Sequence, residues 1–121
     1  MKNNESTEMY LETILLLSRQ KPAVHAIDVA ERLGYSRASV SRAITLLHEK
    51  GYIIVNASNE ICLTSRGREK AEGVYERHCL LTKLLEFTGA EHSLAEENAC
   101  RIEHVISDEM FAVLKDFVAK L

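Results

Sequence analysis

"VAERLGYSRASVSRAITLLHEKG" (residues 29–51) holds two short apolar repeats separated by a tight turn. Ile27, Val29, Ala30 and Leu33 recur at helical spacing over residues 26–33, and Val40, Ile44 and Leu47 do so further on. Gly34 stands where a helix that ends in the left-handed region places its last residue. Ser36 can cap the next helix, and Gly51 closes it. Two short helices joined across "LGYS" make a helix-turn-helix. If Val40, Ile44 and Leu47 face the core, the opposite face near the N-terminus is Ser36, Arg37, Ser39, Ser41 and Arg42. A helix of this kind fits a DNA major groove about 12 Å wide. Hydroxyls and a helix N-terminus suit phosphate oxygens, and an arginine such as Arg42 can make a bidentate contact to guanine.

The flanking sequence completes the motif. Upstream, "TEMYLETILLLSR" (7–19) puts Tyr10, Leu11, Ile14, Leu15 and Leu17 on one helical stripe. Downstream, "YIIV" (52–55) and "ICL" (61–63) are rich in β-branched residues, with the turn residues "NASNE" between them. Helix, helix, turn, helix and hairpin is the order of a winged helix-turn-helix. A Ser/Arg-rich helix face alone is an ordinary solvated surface; its occurrence with a wing favours DNA reading. The wing tip, Asn56 to Asn59, is polar but uncharged and makes a weaker contact candidate.

From Thr64 onward the chain reads as helical. The longest segment covers 66–88 and ends at Gly89; Ser93 with Glu96 suggests a capping box for a helix through about Ile106; and Ser107 with Asp108 and Glu109 suits the start of a last helix. The fold class expected is mainly α, a winged helix-turn-helix DNA-binding domain with a small β-hairpin wing followed by a helical domain. The boundaries are 1–66 and 67–121.

Composition sets the limits. The chain has 121 residues, 46% hydrophobic and 27% charged, which suits one compact domain or two small ones. No apolar run approaches the roughly 18 residues of a membrane span, and "MKNNESTEMY" lacks a signal peptide's apolar core. A soluble cytoplasmic protein is expected. Cys62, Cys79 and Cys100 are odd in number with no CxxC pair, so each reads as a buried thiol or a ligand rather than part of a disulfide framework. The net charge of −3 hides an asymmetry: residues 1–70 carry 10 basic and 8 acidic side chains, and residues 71–121 carry 5 and 10. A mildly basic half joined to an acidic half permits DNA binding if the halves do different jobs.

The acidic half holds "NACRIEHVISDE" (98–109). On a helix, residues three and four apart share a face, so Cys100, Glu103 and His104 would point the same way. A thiol, a carboxylate and an imidazole are three of the groups that bind transition metals.

These blocks together resemble the diphtheria toxin repressor family of metal-activated transcriptional repressors, in its iron-responsive branch. The resemblance covers "TEMYL" (7–11), "VAERLGYSRASVSRAITLLHEKG" (29–51), "LTSRGR" (63–68), "RH" (77–78) and "ACRIEHVISDE" (99–109), the last being the most specific. It implies a homodimer that binds a palindromic double-stranded DNA operator, with residues 67–121 as the metal-binding and dimerisation domain. It also implies the short form, without an SH3-like addition. The main metal site would use Met9, Cys100, Glu103 and His104. The manganese branch has carboxylates where this chain has Met9 and Cys100, and sulfur suits later metals than Mn²⁺. The expected metal is therefore Fe²⁺, with Mn²⁺, Co²⁺, Ni²⁺ and Zn²⁺ as alternatives.

A second site is implied at His78. The iron branch has a carboxylate one turn later, where this chain has Thr82, and a histidine where it has Glu96. Glu12 stands where the manganese branch has a ligand. A hybrid of Glu12, His78 and Glu96 is the expectation. His25, His48 and His92 read as surface or loop residues.

The function implied is a metal-activated repressor of metal homeostasis genes, in which the filled site ties the first helix to the helical domain and sets the spacing of two DNA-reading heads. The alternatives are a manganese-responsive member of the same family, and a winged-helix regulator with Cys100 as a redox switch and no metal sensing. An enzyme is not expected, since no HExxH-type constellation is present.

Overall fold

The computed structural model describes residues 2–121, with side chains from residue 6 onward. Six helices and one hairpin follow in the order α1 (Lys2–Gln20), α2 (Ala26–Leu33), α3 (Arg37–Glu49), β1 (Ile53–Val55), β2 (Ile61–Leu63), α4 (Ser65–Phe87), α5 (His92–Ile102) and α6 (Asp108–Ala119). The chain divides into two compact units, residues 2–72 and 73–121, with the division falling inside α4. The mainly helical architecture with a two-stranded wing is the one expected.

In the N-terminal unit, α1, α2, α3 and the hairpin pack on one another. Leu11, Ile14 and Leu15 of α1, Val29 of α2, Val40 and Leu47 of α3 and Ile53 of β1 are all fully or almost fully buried. Burying an aliphatic side chain of this size contributes roughly 1.5–3 kcal/mol. Ile27 is the exception to the expected stripe, being partly exposed at the surface of α2. The α2–α3 turn depends on Gly34, whose φ of +71° is left-handed and whose N–H bonds the carbonyl of Ala30. Ser36 caps α3 by accepting from the N–H of Ser39 at 3.1 Å. At the start of α2, Asp28 accepts from the N–H of His25 at 2.8 Å and pairs with Lys21. The Lys21 hydrogen bond, with the His25 N–H, holds the Asp28 carboxyl below its ordinary value.

The strands pair antiparallel, with Ile53 opposite Leu63 and Val55 opposite Ile61. The tip is fixed by Asn56, whose Oδ1 accepts from the N–H groups of Ser58 and Glu60, both at 2.9 Å. The hairpin then hands over to α4 through a close backbone approach. Thr64 donates to the carbonyl of Gly51 at 2.7 Å and accepts from the N–H of Gly67 at 3.1 Å. A Cβ at Gly67 would lie 1.9 Å from the backbone oxygen of Tyr52. Only glycine fits, which gives the "LTSRGR" block a structural reason.

In the C-terminal unit, Val74 and Leu81 of α4, Ala95 and Ala99 of α5, and Phe111 and Val118 of α6 are buried. Three expectations are corrected here. The capping box Ser93–Glu96 does not form: the N-cap of α5 is Glu91, in extended geometry, and Ser93 donates to its carboxylate at 2.9 Å. The helix also stops at Ile102 rather than Ile106, with Glu103 as its C-cap. Finally, Cys62, Cys79 and Cys100 are all exposed, so none is a buried thiol. Ser107 caps α6 as expected, accepting from the N–H of Met110 at 3.1 Å.

Gly67→Ala should therefore destabilise the fold by about 1–3 kcal/mol or more, because backbone rather than a flexible side chain must yield. Gly73→Ala, with open space at its Cβ, should instead gain roughly 0.5–1 kcal/mol from helix propensity. Urea denaturation of both variants checks the opposite signs.

Candidate metal centre and nucleic-acid interface

The end of α5 builds the metal-ligating cluster. Cys100 lies in the last turn, Glu103 caps it by donating its N–H to the carbonyl of Ala99 at 2.9 Å, and His104 follows in the turn. The N–H groups of Val105 and Ile106 both bond the carbonyl of Ile102, at 3.0 and 3.1 Å. The helical course thus persists through one more turn, enough to keep the three side chains on one side. One ligand atom from each of Cys100, Glu103 and His104 lies within 4.8 Å of the others. Spacing in the sequence found this group correctly, although two of its members stand beyond the helix proper.

Glu103 is the centre of the arrangement. It is fully buried, with Oε2 at 2.7 Å from His78 Nδ1 and Oε1 at 3.2 Å from His104 Nε2. Burial of a carboxylate is costly unless charge or hydrogen bonds compensate. The His78 imidazole supplies part of that compensation on one oxygen, and a cation would supply more. A thiol, a carboxylate and an imidazole that converge in this way fit a borderline-soft divalent ion.

Arg77, beside His78 on α4, holds the turn from outside. It donates to the carbonyls of Glu103 and Ile106, each at 3.4 Å, pairs with Asp108 and lies 5.5 Å from the centre of the Phe111 ring. Each carbonyl contact is long and weak alone. Asp108 is mostly exposed, so the ion pair is screened. Together these contacts tie Arg77 to the backbone that carries Glu103 and His104 and to the start of α6. Sequence reading missed this role, because the partners lie 26 to 34 residues away; only the "RH" pair hinted at it.

The members of the expected second group come from three helices, Glu12 from α1, His78 from α4 and Glu96 from α5. His78 is half-buried, its Nε2 3.8 Å from Glu96 Oε2. Thr82 is buried and donates back to the carbonyl of His78 at 2.7 Å, so it offers no ligand in place of the missing carboxylate. Glu12 is buried and Met9 half-buried on α1, within the other unit. Tyr35 donates to the Met9 sulfur at 3.7 Å. His92, read from sequence as a surface residue, is exposed but engaged: its Nδ1 is 2.8 Å from Glu86. That carboxylate raises the imidazole above its ordinary value. The signal available in the sequence was the i, i+4 spacing of His92 and Glu96. His48 is exposed on α3, and His25 is half-buried as the N-cap of α2.

On α3, Ser36, Arg37, Ser41 and Arg42 are exposed and Ser39 is half-buried. Ser39 is used internally, accepting from Ser36 Oγ at 3.0 Å and from Arg42 at 3.4 Å. Arg37 and Ser41 border an open groove of about 470 Å³ floored by Ile44 and Ile61 and reaching Val55 and Asn59 of the wing.

Arg77→Met should weaken Co²⁺ binding at the Cys100 cluster by about 10- to 100-fold, the usual effect of losing a group that orients a ligand. Asp108→Asn should change it far less. Titration followed by the thiolate-to-cobalt absorption band reads both, and far-UV circular dichroism checks that the apo fold survives.

Comparison with known proteins identifies the family of both halves of the chain. Residues 3–59 match the family model of the iron-dependent repressor N-terminal DNA-binding domain, and residues 64–121 match that of the iron-dependent repressor metal-binding and dimerisation domain. An uncharacterised helix-turn-helix transcriptional regulator of Methanocaldococcus jannaschii is 32% identical over 97% of this chain and 95% of its own length. The diphtheria toxin repressor of Corynebacterium diphtheriae is 34% identical over 93% of this chain, and the iron-dependent repressor of Mycobacterium tuberculosis is 33% identical over 88%. The chain spans 52% and 46% of those two relatives. Among solved structures, a manganese-dependent transcriptional repressor in complex with manganese superposes with a TM-score of 0.83 at 27% identity, over 93% of this chain and 52% of that one. The chain belongs to the iron-dependent repressor family of metal-dependent transcriptional repressors.

Proposed function

We propose that this protein represses transcription of metal homeostasis genes when Fe²⁺ occupies the cluster of Cys100, Glu103 and His104. The observation that carries this reading is the fully buried Glu103 carboxylate, with a thiol and an imidazole within 4.8 Å. It sits in the same chain as a winged helix with an exposed Ser/Arg face. The bound ion would supply positive charge and a coordination demand that fixes three side chains. The resemblance adds Met9 as a further ligand and Glu12, His78 and Glu96 as a second set. Residues 1–66 act as the DNA-reading domain and 67–121 as the metal-binding and dimerisation domain, in the cytoplasm.

The chemistry of the donors supports Fe²⁺ over Mn²⁺, because a thioether and a thiolate are softer than carboxylates. Family membership favours metal sensing over a Cys100 redox switch. Coupling to DNA requires only that the ion bind the DNA-competent state more tightly than the other state. On DNA, Arg42 reads base edges, while Arg37 and the hydroxyls of Ser36 and Ser41 meet phosphates; Ser39 orients Arg42. A dimer is supported by the C-terminal unit's own surface, where Phe87, Leu94, Met110, Val113 and Phe117 are exposed. Apolar exposure on this scale marks an interaction surface, and a two-fold dimer implies a palindromic operator with half-sites about 34–36 Å apart or a multiple of that. Phe111, by contrast, is part of the unit's core.

Two outcomes test the proposal. Operator binding by fluorescence anisotropy, under anaerobic buffered metal, should require divalent ion, be abolished by chelator and respond to Fe²⁺ and Co²⁺ at lower free concentration than Mn²⁺. Met9→Asp with Cys100→Glu should shift the order toward Mn²⁺; binding that survives chelator and follows oxidant would instead support the redox switch. Arg42→Ala should cost on the order of 1–3 kcal/mol and relax discrimination at one operator position. Equal loss on cognate and scrambled DNA would show that Arg42 meets only phosphates.

A further inference from the structure

The turn before α3 reaches back to α1 through one side chain. Tyr35 donates its hydroxyl to the Met9 sulfur at 3.7 Å. Its ring meets that of Tyr10 edge-on, with centroids 6.2 Å apart. Two consecutive residues of α1 are thus held by one residue of the α2–α3 turn. The backbone of Tyr35 is fixed as well: its N–H donates to the carbonyl of Ala30 at 3.2 Å, directly after the left-handed Gly34. The next residue is Ser36, the N-cap of α3, whose hydroxyl donates to Ser39 at 3.0 Å; Ser39 accepts from Arg42 at 3.4 Å. All of these residues lie in the N-terminal unit. A short series of contacts therefore runs from the Met9 sulfur to an arginine of the exposed α3 face.

We infer that Tyr35 is a positioning residue, whose hydroxyl holds the Met9 sulfur for a metal ion and ties that ligand to the start of α3. The inference rests on the reading of Met9 as a metal ligand. A methionine side chain has three rotatable bonds and adapts to many positions, so an unrestrained thioether is a poorly aimed donor. Its sulfur has two lone pairs. The Tyr35 O–H takes one and leaves the other for an ion, as a group behind a ligand orients it in other metal sites. The coupling is reciprocal. An ion that pulls on the sulfur pulls on Tyr35, and with it on the N-cap of the helix that faces DNA. DNA that fixes α3 steadies the sulfur in return. Phenylalanine at this position keeps the ring against Tyr10 and lacks only the donor. Tyr35 is 45% exposed, so loss of its hydroxyl costs the fold little.

The test separates the contact from the metal. Selective ¹³C labelling of the methionine methyl groups reads the contact in metal-free protein. Met9→Leu identifies the Met9 signal, and Tyr35→Phe should shift it while the Met110 signal stays in place. Followed by the thiolate-to-cobalt band, Tyr35→Phe should bind Co²⁺ about 10-fold more weakly, with urea denaturation checking the fold. Met9→Leu should also weaken Co²⁺ binding. The double variant should bind no more weakly than Met9→Leu alone, because the hydroxyl acts only through the sulfur. At saturating Co²⁺, the gain in operator affinity over metal-free protein should fall several-fold in Tyr35→Phe. An unmoved Met9 signal, losses that add in full, or an unchanged operator gain would overturn the inference and leave Met9 a ligand. Undiminished Co²⁺ binding by Met9→Leu would instead overturn Met9 as a ligand, and this role of Tyr35 with it.

Discussion

The C-terminal unit is organised around one costly act, the burial of the Glu103 carboxylate. No solvent reaches it, so its neighbours must answer its charge. His78 does so from α4 by a hydrogen bond, and His104, the next residue in the chain, lies close to the other oxygen. α5 ends at Ile102, with Glu103 as its C-cap. The stop places Glu103 at the helix C-terminus, where the macrodipole disfavours a negative charge. That adds to the need for a positive partner. The side chains that make the unit are thus arranged as much by electrostatics as by the burial of Val74, Leu81 and Phe111.

The N-terminal unit solves a steric problem instead. A hairpin of three-residue strands has little core of its own, so the wing is held by its junctions. Ile61 donates its N–H to the carbonyl of Val24 at 2.7 Å, and Thr64 donates its N–H to that of Tyr52 at 3.0 Å. Arg66 donates to the carbonyl of Lys50 at 2.6 Å and stacks over the Tyr52 ring at 4.6 Å. With Gly67 against the Tyr52 backbone, these contacts fasten the wing to both the end of α3 and the start of α4. The exposed face of α3 is correspondingly spared structural duty, apart from Ser36 and Ser39.

Much of this was legible in the sequence because the relevant signals are local. Gly34, Ser36 and the apolar periods of α2 and α3 act within a few residues of one another, and so does the 100–103–104 spacing. What was not legible depends on distant partners. The start of α5 was misread because a capping box was assigned to Ser93 and Glu96, whereas Glu96 faces two histidines. Arg77 acts on residues 103–111 across a loop that sequence spacing does not close. His92 looked solitary because Glu86 lies on the preceding helix. The exposure of the three cysteines was missed for a related reason: free cysteine is usually buried, whereas all three lie at the surface.

The charge pattern of the chain acquires a physical reading once the site is placed. Residues 71–121 carry twice as many acidic as basic side chains, and several of those acids, Glu86, Glu96 and Glu103, are gathered around three histidines. Like charges brought together raise the free energy of the unit, and a divalent ion bound among them relieves that repulsion. A ligand that binds only the folded arrangement stabilises it in proportion to the logarithm of its concentration over its dissociation constant. In the proposed reading, the acidic surplus does not oppose DNA binding by the other unit so much as make the C-terminal unit responsive to cations. A neutral cluster with the same geometry would be more stable when empty and would gain less on filling. In the proposed reading, sensing depends on keeping the empty state poor in positive charge, and the distribution of these glutamates favours that.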